Sequence, residues 1–319
     1  MNRLSPSVHP TDDDSSADVT EGSTLQSTTS SGRSLPQSPG KRKVGSAQTR
    51  ELGEELRRLR QRRGHSTADL ARYLGYSEAW LSKIESGTRR ASPWEIDVLL
   101  GFCDADLATR DRINRLVDEP VTGHFLRPHP GRAPDELTVL AVHEAVASTI
   151  TCYERSAVPA LVQTEGYARA ALAHCQDVEQ AVRRRLERWQ RLRFRTSCTA
   201  LFFVHESMLS DASDDEIPRD QAATLASLVT DTPNVRVRLV PTTTDPLLRH
   251  DFTVMTFEAP VEPLAYSQTQ HATVFAEGDH ARAYRSALDR LDQVALDPDQ
   301  SVRTLYRLAD TRTRSRRPD

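Results

Sequence analysis

Apolar residues first fall into helical register at residue 52. Leu52, Leu56 and Leu59 recur at three- and four-residue steps among charged side chains, predicting an amphipathic helix that Gly64 stops. Ser66 is placed to cap a second helix, on which Leu70, Ala71 and Leu74 share one face. Gly75 breaks that helix, because a residue without Cβ takes a left-handed turn at least cost. Ser77 can cap a third helix with Leu81 and Ile84 on its inner face, and Gly87 ends it. Pro93 opens a fourth, with Ile96, Leu99 and Leu100 as its apolar side. The pattern predicts a bundle of about five short helices over residues 47–118.

Beyond this bundle the pattern changes. Residues 119–134 hold four prolines (Pro120, Pro128, Pro130, Pro134) and are expected to be a linker. From 135 to 311, helical patterns over 135–155, 164–174, 176–195, 218–231, 279–295 and 299–311 mix with β-rich runs. The strands are expected at 200–205, 235–240, 252–258, 264–267 and 272–276. The mixture is too irregular for a βαβ repeat, so an α+β domain is expected, with no internal repeat. Residues 1–46 are rich in Ser, Thr, Pro, Gly and Asp, and no aromatic residue precedes Tyr73. Such a segment cannot bury enough apolar surface to offset its ordering entropy, and a disordered tail is expected. Residues 312–319, with Arg312, Arg314, Arg316 and Arg317, read as a frayed basic tail. The expected fold is therefore a disordered N-terminal tail, a mainly α helix-turn-helix bundle and a larger α+β C-terminal domain.

Charge sharpens this division. The whole chain of 319 residues has a formal net charge of −3, yet residues 50–92 carry ten basic and six acidic side chains. The remainder, 93–319, carries 27 basic and 34 acidic. Positive charge is thus concentrated in the first folded segment, where a polyanion can dock. In the tail, Lys41, Arg42 and Lys43 lie close enough to the first helix to brush a phosphate backbone, or serve only to solubilise. Four scattered cysteines (Cys103, Cys152, Cys175, Cys198) without a C-x-x-C read as reduced, buried thiols. No apolar run approaches the length of a membrane span, and no signal pattern opens the chain, so a cytoplasmic, nucleoid-associated protein is expected.

Residues 67–86 meet the requirements of a helix-turn-helix in register. A small residue stands where the helices cross (Ala71), glycine at the turn (Gly75), and apolar residues on the inner face of the second helix (Leu81, Ile84). The stretch LGEELRRLRQRRGHSTADLARYLGYSEAWLSKIESGTRRASP, residues 52–93, resembles the helix-turn-helix of phage-repressor-type (XRE) transcriptional regulators. The resemblance implies that the second helix of the motif enters the major groove of double-stranded DNA. It places Glu78, Ala79 and Lys83 at base edges, with Ser82 beside them. Lys83 can donate to guanine, Glu78 can accept from cytosine, and Ala79 can touch a thymine methyl. Glu78 also suits the positive end of a helix whether or not it meets DNA. Thr67 stands where the family usually has a phosphate-binding Gln, with a hydroxyl but less reach. Arg89 and Arg90, after the helix, are the expected phosphate contacts. Arg60 and Glu85 match a pair that the family keeps inside the fold, so they are assigned to structure. Trp80 is expected in the core rather than on the sugar-phosphate edge.

The segment PALVQTEGYARAAL (159–172) resembles a second, actinobacterial family in which a helix-turn-helix precedes a large C-terminal domain of unknown function. The helix VEQAVRRRLERWQRL (178–192), TPNVRVRLVP (232–241) and DFTVMTFE (251–258) fit it in order. The likeness implies a WhiJ-like or antitoxin-like regulator that acts with a small partner protein encoded nearby. The α+β domain itself offers surfaces for a homodimer, for that partner or for a small-molecule ligand, and a homodimer would read two half-sites. The text between the last two segments departs from the family in lacking glycine. On the helix over 176–195, Val178, Ala181, Val182, Leu186, Trp189 and Leu192 form one face. Arg183, Arg184, Arg185, Glu187, Arg188, Arg191 and Arg193 form the other, read as a solvated basic face or as a second surface for nucleic acid or an acidic partner.

Signals for an enzyme are lacking in the sequence. The 13 glycines never form G-x-G, and Gly40 and Gly45 are followed by Ser46 where a phosphate loop needs Lys. His143-Glu144 and His205-Glu206 are adjacent pairs, not a metal-binding H-E-x-x-H, and His124 and His129 have no nearby Cys. There is no G-x-S-x-G. The expectation is a protein without catalytic residues, metal or cofactor.

Overall fold

The computed structural model describes residues 45–210, 216–242 and 245–310. Residues 1–44 of the expected 1–46 tail and all of the expected 312–319 tail lie outside the described residues, while Ser46 caps the first helix. The N-terminal head has five helices: α1 (Ala47–Arg62), α2 (Thr67–Tyr73), α3 (Glu78–Glu85), α4 (Pro93–Phe102) and α5 (Leu107–Asp118). Each of the five opens on a hydroxyl or carboxylate cap: Ser46, Ser66, Ser77, Ser92 and Asp106 accept from a backbone N–H in the first turn. Such a cap is worth about 1 kcal/mol. The core joins Leu52, Leu56 and Leu59 to Leu70, Ala71, Leu81, Ile84, Ile96, Leu99, Leu100 and Ile113.

The rest of the chain builds one seven-stranded sheet. Its strands are β1 (His124–Pro128), β2 (Thr149–Glu154), β3 (Thr199–His205), β4 (Val235–Val240), β5 (Phe252–Thr256), β6 (Leu264–Gln268) and β7 (Ala272–Glu277). The spatial order is β1-β7-β6-β5-β2-β3-β4. β2, β3 and β4 run parallel, and the remaining pairs are antiparallel. The parallel half needs crossovers. These are α7 (Glu165–Ala171) with α8 (Val178–Arg193), then α9 (Ser207–Ser210) with α10 (Glu216–Asp231). α6 (Thr138–Glu144) precedes β2, and α11 (Asp279–Arg282), α12 (Arg285–Val294) and α13 (Pro298–Ala309) close the chain. The domain is α+β, as expected, although its parallel half was not foreseen.

Side chains alternate across the strands, so the sheet has two apolar faces. On one, Ile150, Phe202, Val204, Val237 and Leu239 pack with Trp189, Leu192, Leu225 and Leu305. On the other, Tyr153, Phe203, Val254 and Ala265 pack with Ala281, Ala287 and Leu291. All four cysteines are buried and unbridged.

Three expectations need correction. The proline-bearing stretch 119–134 is not only a linker, because it contains edge strand β1 and a turn of 3-10 helix at Pro134–Glu136. β1 tolerates Pro128 because it stands last in an edge strand. The helix expected over 135–155 is the short α6 followed by β2. The β-branched run Thr149-Ile150-Thr151 fits a pleated, half-buried surface, and its burial alternates accordingly. The arginine face of α8 is not uniformly solvated. Arg185 reaches Asp135 at 2.8 Å, while Arg188 bonds both Asp135 and Glu144. The Asp135 side chain is fully buried. Despite the desolvation that works to raise its pKa, the charges of Arg188 and Arg185 hold it down at about 2.

The head is built onto the edge of this sheet. Ala47, the first residue of α1, sits in the sheet's own core. Arg50 donates from Nε to His143 Nε2 at 2.9 Å and from a terminal nitrogen to Glu277 at 3.0 Å. Glu277 also accepts the Ala47 N–H at 2.9 Å. Arg127 of β1 holds Glu51 at 2.6 Å and Glu119 at 2.8 Å. Arg112 of α5 and Thr138 of α6 both bond Glu55.

Candidate nucleic-acid interface

The turn between α2 and α3 is made by Gly75 at φ 73°, where L-residues with a Cβ are strained. The Gly75 N–H donates to Arg72 O at 3.2 Å and the Tyr76 N–H to Ala71 O at 2.9 Å, so the last carbonyls of α2 are satisfied. Ala71 is 1% exposed, as are Leu70 and Leu81, and Ile84 is 2% exposed. The two helices therefore close on each other along the residues that the spacing predicted.

The opposite side of α3 faces solvent. Glu78, Ala79, Ser82 and Lys83 are all exposed. The side chains of Glu78 and Lys83 make no hydrogen bond or ion pair among the described residues. Ser77 Oγ accepts from the Trp80 N–H at 3.1 Å and fixes where this row begins. Thr67, the first residue of α2, is half-buried, and its neighbour Ser66 supplies the cap.

Three pairings hold α3 in place. Arg60 grips Glu85 bidentately, donating from Nε at 2.6 Å and from Nη2 at 2.8 Å, and also donates to His65 O at 2.7 Å. Both side chains are 7% exposed, and the Glu85 hydrogen bond raises the pKa of Arg60. Trp80 lies in the core, stacked on Tyr76 at 3.8 Å, and its indole N–H donates to Glu95 at 3.1 Å. Gly53 of α1 packs closely against the end of α3. A Cβ built there would lie 2.5 Å from the backbone oxygens of Ile84 and Glu85.

Arg89 and Arg90 are exposed but not idle. Arg89 bonds Glu95 at 2.7 Å and lies over the Trp80 ring at 5.7 Å. Arg90 donates to Val117 O at 2.9 Å. Glu95 is the residue that sequence reasoning missed. Burial pushes its carboxyl up, but hydrogen bonds from Ser92 and Trp80 and the charge of Arg89 outweigh this and hold its pKa below the usual value. Its signal was present, since Ser92 with Glu95 three residues on is a capping box ahead of an apolar run. Among the described residues no group of three or more His, Cys, Asp or Glu is arranged to hold a metal ion.

These features define a helix-turn-helix, a DNA-binding module. Residues 51–113 match the family model described as a helix-turn-helix domain. Residues 137–307 match the model described as a domain of unknown function, DUF5753. That match spans more than half of the chain, and the chain belongs to the DUF5753 family. No curated protein matches it. Among solved structures, the chain is similar to TrmBL2, an archaeal chromatin protein described as showing a novel mode of DNA binding. The identity is 9% and the TM-score 0.29, over 63% of this chain and 66% of that one, just under two thirds of its length. No described helix is long and apolar enough to cross a membrane.

Proposed function

We propose that this protein is a sequence-specific transcriptional regulator of the XRE type, that α3 lies in the major groove, and that the C-terminal domain sets its activity. The observation that carries this reading is the division of α3. Trp80, Leu81 and Ile84 are buried, while Glu78, Ala79, Ser82 and Lys83 form an uncommitted outward row. Those four, with Thr67, read base edges or anchor the motif, and Arg89 and Arg90 meet phosphates. The protein is a cytoplasmic, nucleoid-associated homodimer, not an enzyme, and binds half-sites about one helical turn apart. Buried ion pairs between head and sheet support control through the C-terminal domain. A ligand or partner that favours one arrangement of that domain shifts DNA affinity by its own difference in affinity between states.

A genome-wide map of bound DNA tests the reading. Sharp peaks that share a motif, and are lost in a Lys83→Ala, Ser82→Ala variant with native stability, are expected. Diffuse binding unchanged in the variant overturns it. The partner-sequestering, antitoxin-like reading then takes its place, and co-purification of a small protein at fixed stoichiometry is its mark.

A further inference from the structure

A second site lies far along the sheet from the head. A cleft of about 480 Å³ opens past the last residue of β2, where the parallel half of the sheet meets the antiparallel half. Open α/β sheets gather ligands outside the carboxyl ends of parallel strands. The volume lies in the range typical of small-molecule sites, about 300–1,000 Å³.

Its chemistry divides into two parts. One wall is cationic: Arg155 and Arg249 line the cleft beside the His250 imidazole, and neither arginine has an ion-pair partner among the described residues. Asp251 shares the wall but is committed elsewhere. Its Oδ1 accepts the Arg155 backbone N–H at 2.7 Å, and its Oδ2 accepts the Ser156 hydroxyl at 2.6 Å. It therefore turns the loop after β2, and its charge stays on this wall without an ion pair to either guanidinium among the described residues. The other wall is apolar: Leu247, Phe252, Tyr284 and Ala287 line it, and the rings of Phe252 and Tyr284 lie 5.0 Å apart. Leu247 is 51% exposed, an apolar side chain with one face uncovered. Unpaired guanidinium groups offer forked donors to a carboxylate or phosphate, and the aromatic floor offers a surface for a ring or alkyl body.

We propose that this cleft binds a small organic anion, with its carboxylate or phosphate head on Arg155 and Arg249 and its apolar body against Phe252 and Tyr284. The site is independent of the DNA-binding surface, and the proposal stands or falls without it.

Isothermal titration of the full chain with phenyl phosphate, phenylacetate, inorganic phosphate and benzyl alcohol tests the proposal. Saturable binding of an aromatic anion is expected, and neutral benzyl alcohol is expected not to bind. The preferred head group tells phosphate from carboxylate. Arg249→Ala and Arg155→Ala each weaken binding by about tenfold, the loss of one charge-assisted contact. Tyr284→Ala weakens the aromatic anion but leaves inorganic phosphate unchanged. Arg249 is exposed and its side chain makes no hydrogen bond or ion pair among the described residues, so its variant is expected to keep the native melting temperature. Absence of binding by both aromatic anions at millimolar concentration overturns the proposal. So does equal affinity in the Arg155→Ala, Arg249→Ala double variant.

Discussion

Arg127 on the edge strand and Glu51 on the first helix, 76 residues apart in sequence, form a buried ion pair at 2.6 Å. Arg127 gives its second carboxylate contact to Glu119, just after α5. One guanidinium thus clamps the beginning and the end of the head to the sheet. The clamp holds Arg127 firmly in its charged form: desolvation works against it, but its hydrogen bonds to Glu119 and Glu51 outweigh that.

Removing the clamp leaves two carboxylates facing a closed interface. Arg127→Met is expected to destabilise the protein by about 3–5 kcal/mol, read by urea unfolding. Adding Glu51→Leu to that variant is expected to restore part of the loss. A loss below 1 kcal/mol in the single variant shows that the interface opens readily in solution.

His143 makes the same junction sensitive to acid. Arg50 can only donate, so His143 Nε2 accepts, and Nδ1 carries the proton that bonds Val139 O at 2.6 Å. Burial first, and the Arg50 charge second, lower its pKa to about 3. The unfolded chain binds this proton from about pH 6.5 downward while the folded one does not, so stability falls as pH falls from about 6.5 towards 3. Glu154 works in the opposite sense. Burial, then Asp251, raises its pKa to about 7, so its contribution is full below about 4.5 and is lost as pH rises through 7. His143→Gln isolates the first effect. Between pH 7 and 4 it is expected to lose about 3 kcal/mol less than the wild type, measured by denaturant unfolding at each pH.

Much of this arrangement was legible in the sequence, and the limits are instructive. The Ser66 and Ser77 caps, the Gly75 turn and the buried Ala71, Leu81 and Ile84 follow from local rules, and the Arg60–Glu85 pair, 25 residues apart, came from the family resemblance. β1 did not, because its two inward side chains are Phe125 and a charged Arg127, and prolines surround it. A strand whose inward residue is an arginine makes sense only when its distant carboxylates are known. Arg185 and Arg188 misled for the same reason, since Asp135 and Glu144 lie on other elements. The exposure of Glu78, Ala79, Ser82 and Lys83 complements the core pattern on α3, while their base-reading role came from the family resemblance alone. The cleft beyond β2 was not, because its walls come from separate loops and from a helix near the C-terminus.

Gly53 offers a test of close packing. In an open helix Gly→Ala adds about 1 kcal/mol of stability. Here the new methyl would meet the Ile84 and Glu85 carbonyls, which are backbone and cannot swing aside. Gly53→Ala is expected to lower the melting temperature and weaken DNA binding. A rise in melting temperature would show that α1 and α3 are not so close.

Lys83 and Arg89 should separate by phenotype. Lys83→Ala is expected to leave stability unchanged and relax the preferred sequence at one position by about 1–3 kcal/mol, read by a binding-site selection. Arg89→Ala removes a partner of both Glu95 and Trp80, so it is expected to lower the melting temperature as well as weaken binding to all sequences.

The short path from head to sheet has a further consequence. Only residues 119–123 separate α5 from β1. Glu119 is held by Arg127, Pro120 O accepts from Gln48 at 3.2 Å, and Gly123 O accepts from Glu277 N–H at 2.7 Å. The bearing of α3 is therefore settled when the chain folds, and no hinge has to be frozen when it meets a duplex. Such a head cannot swivel to follow a site that has moved. For the proposed homodimer on two half-sites, one inserted base pair turns the second target by roughly 35° about the duplex axis. On the proposed homodimer neither head would have a free joint with which to recover that angle, so the proposed regulator would discriminate operator phase as well as sequence.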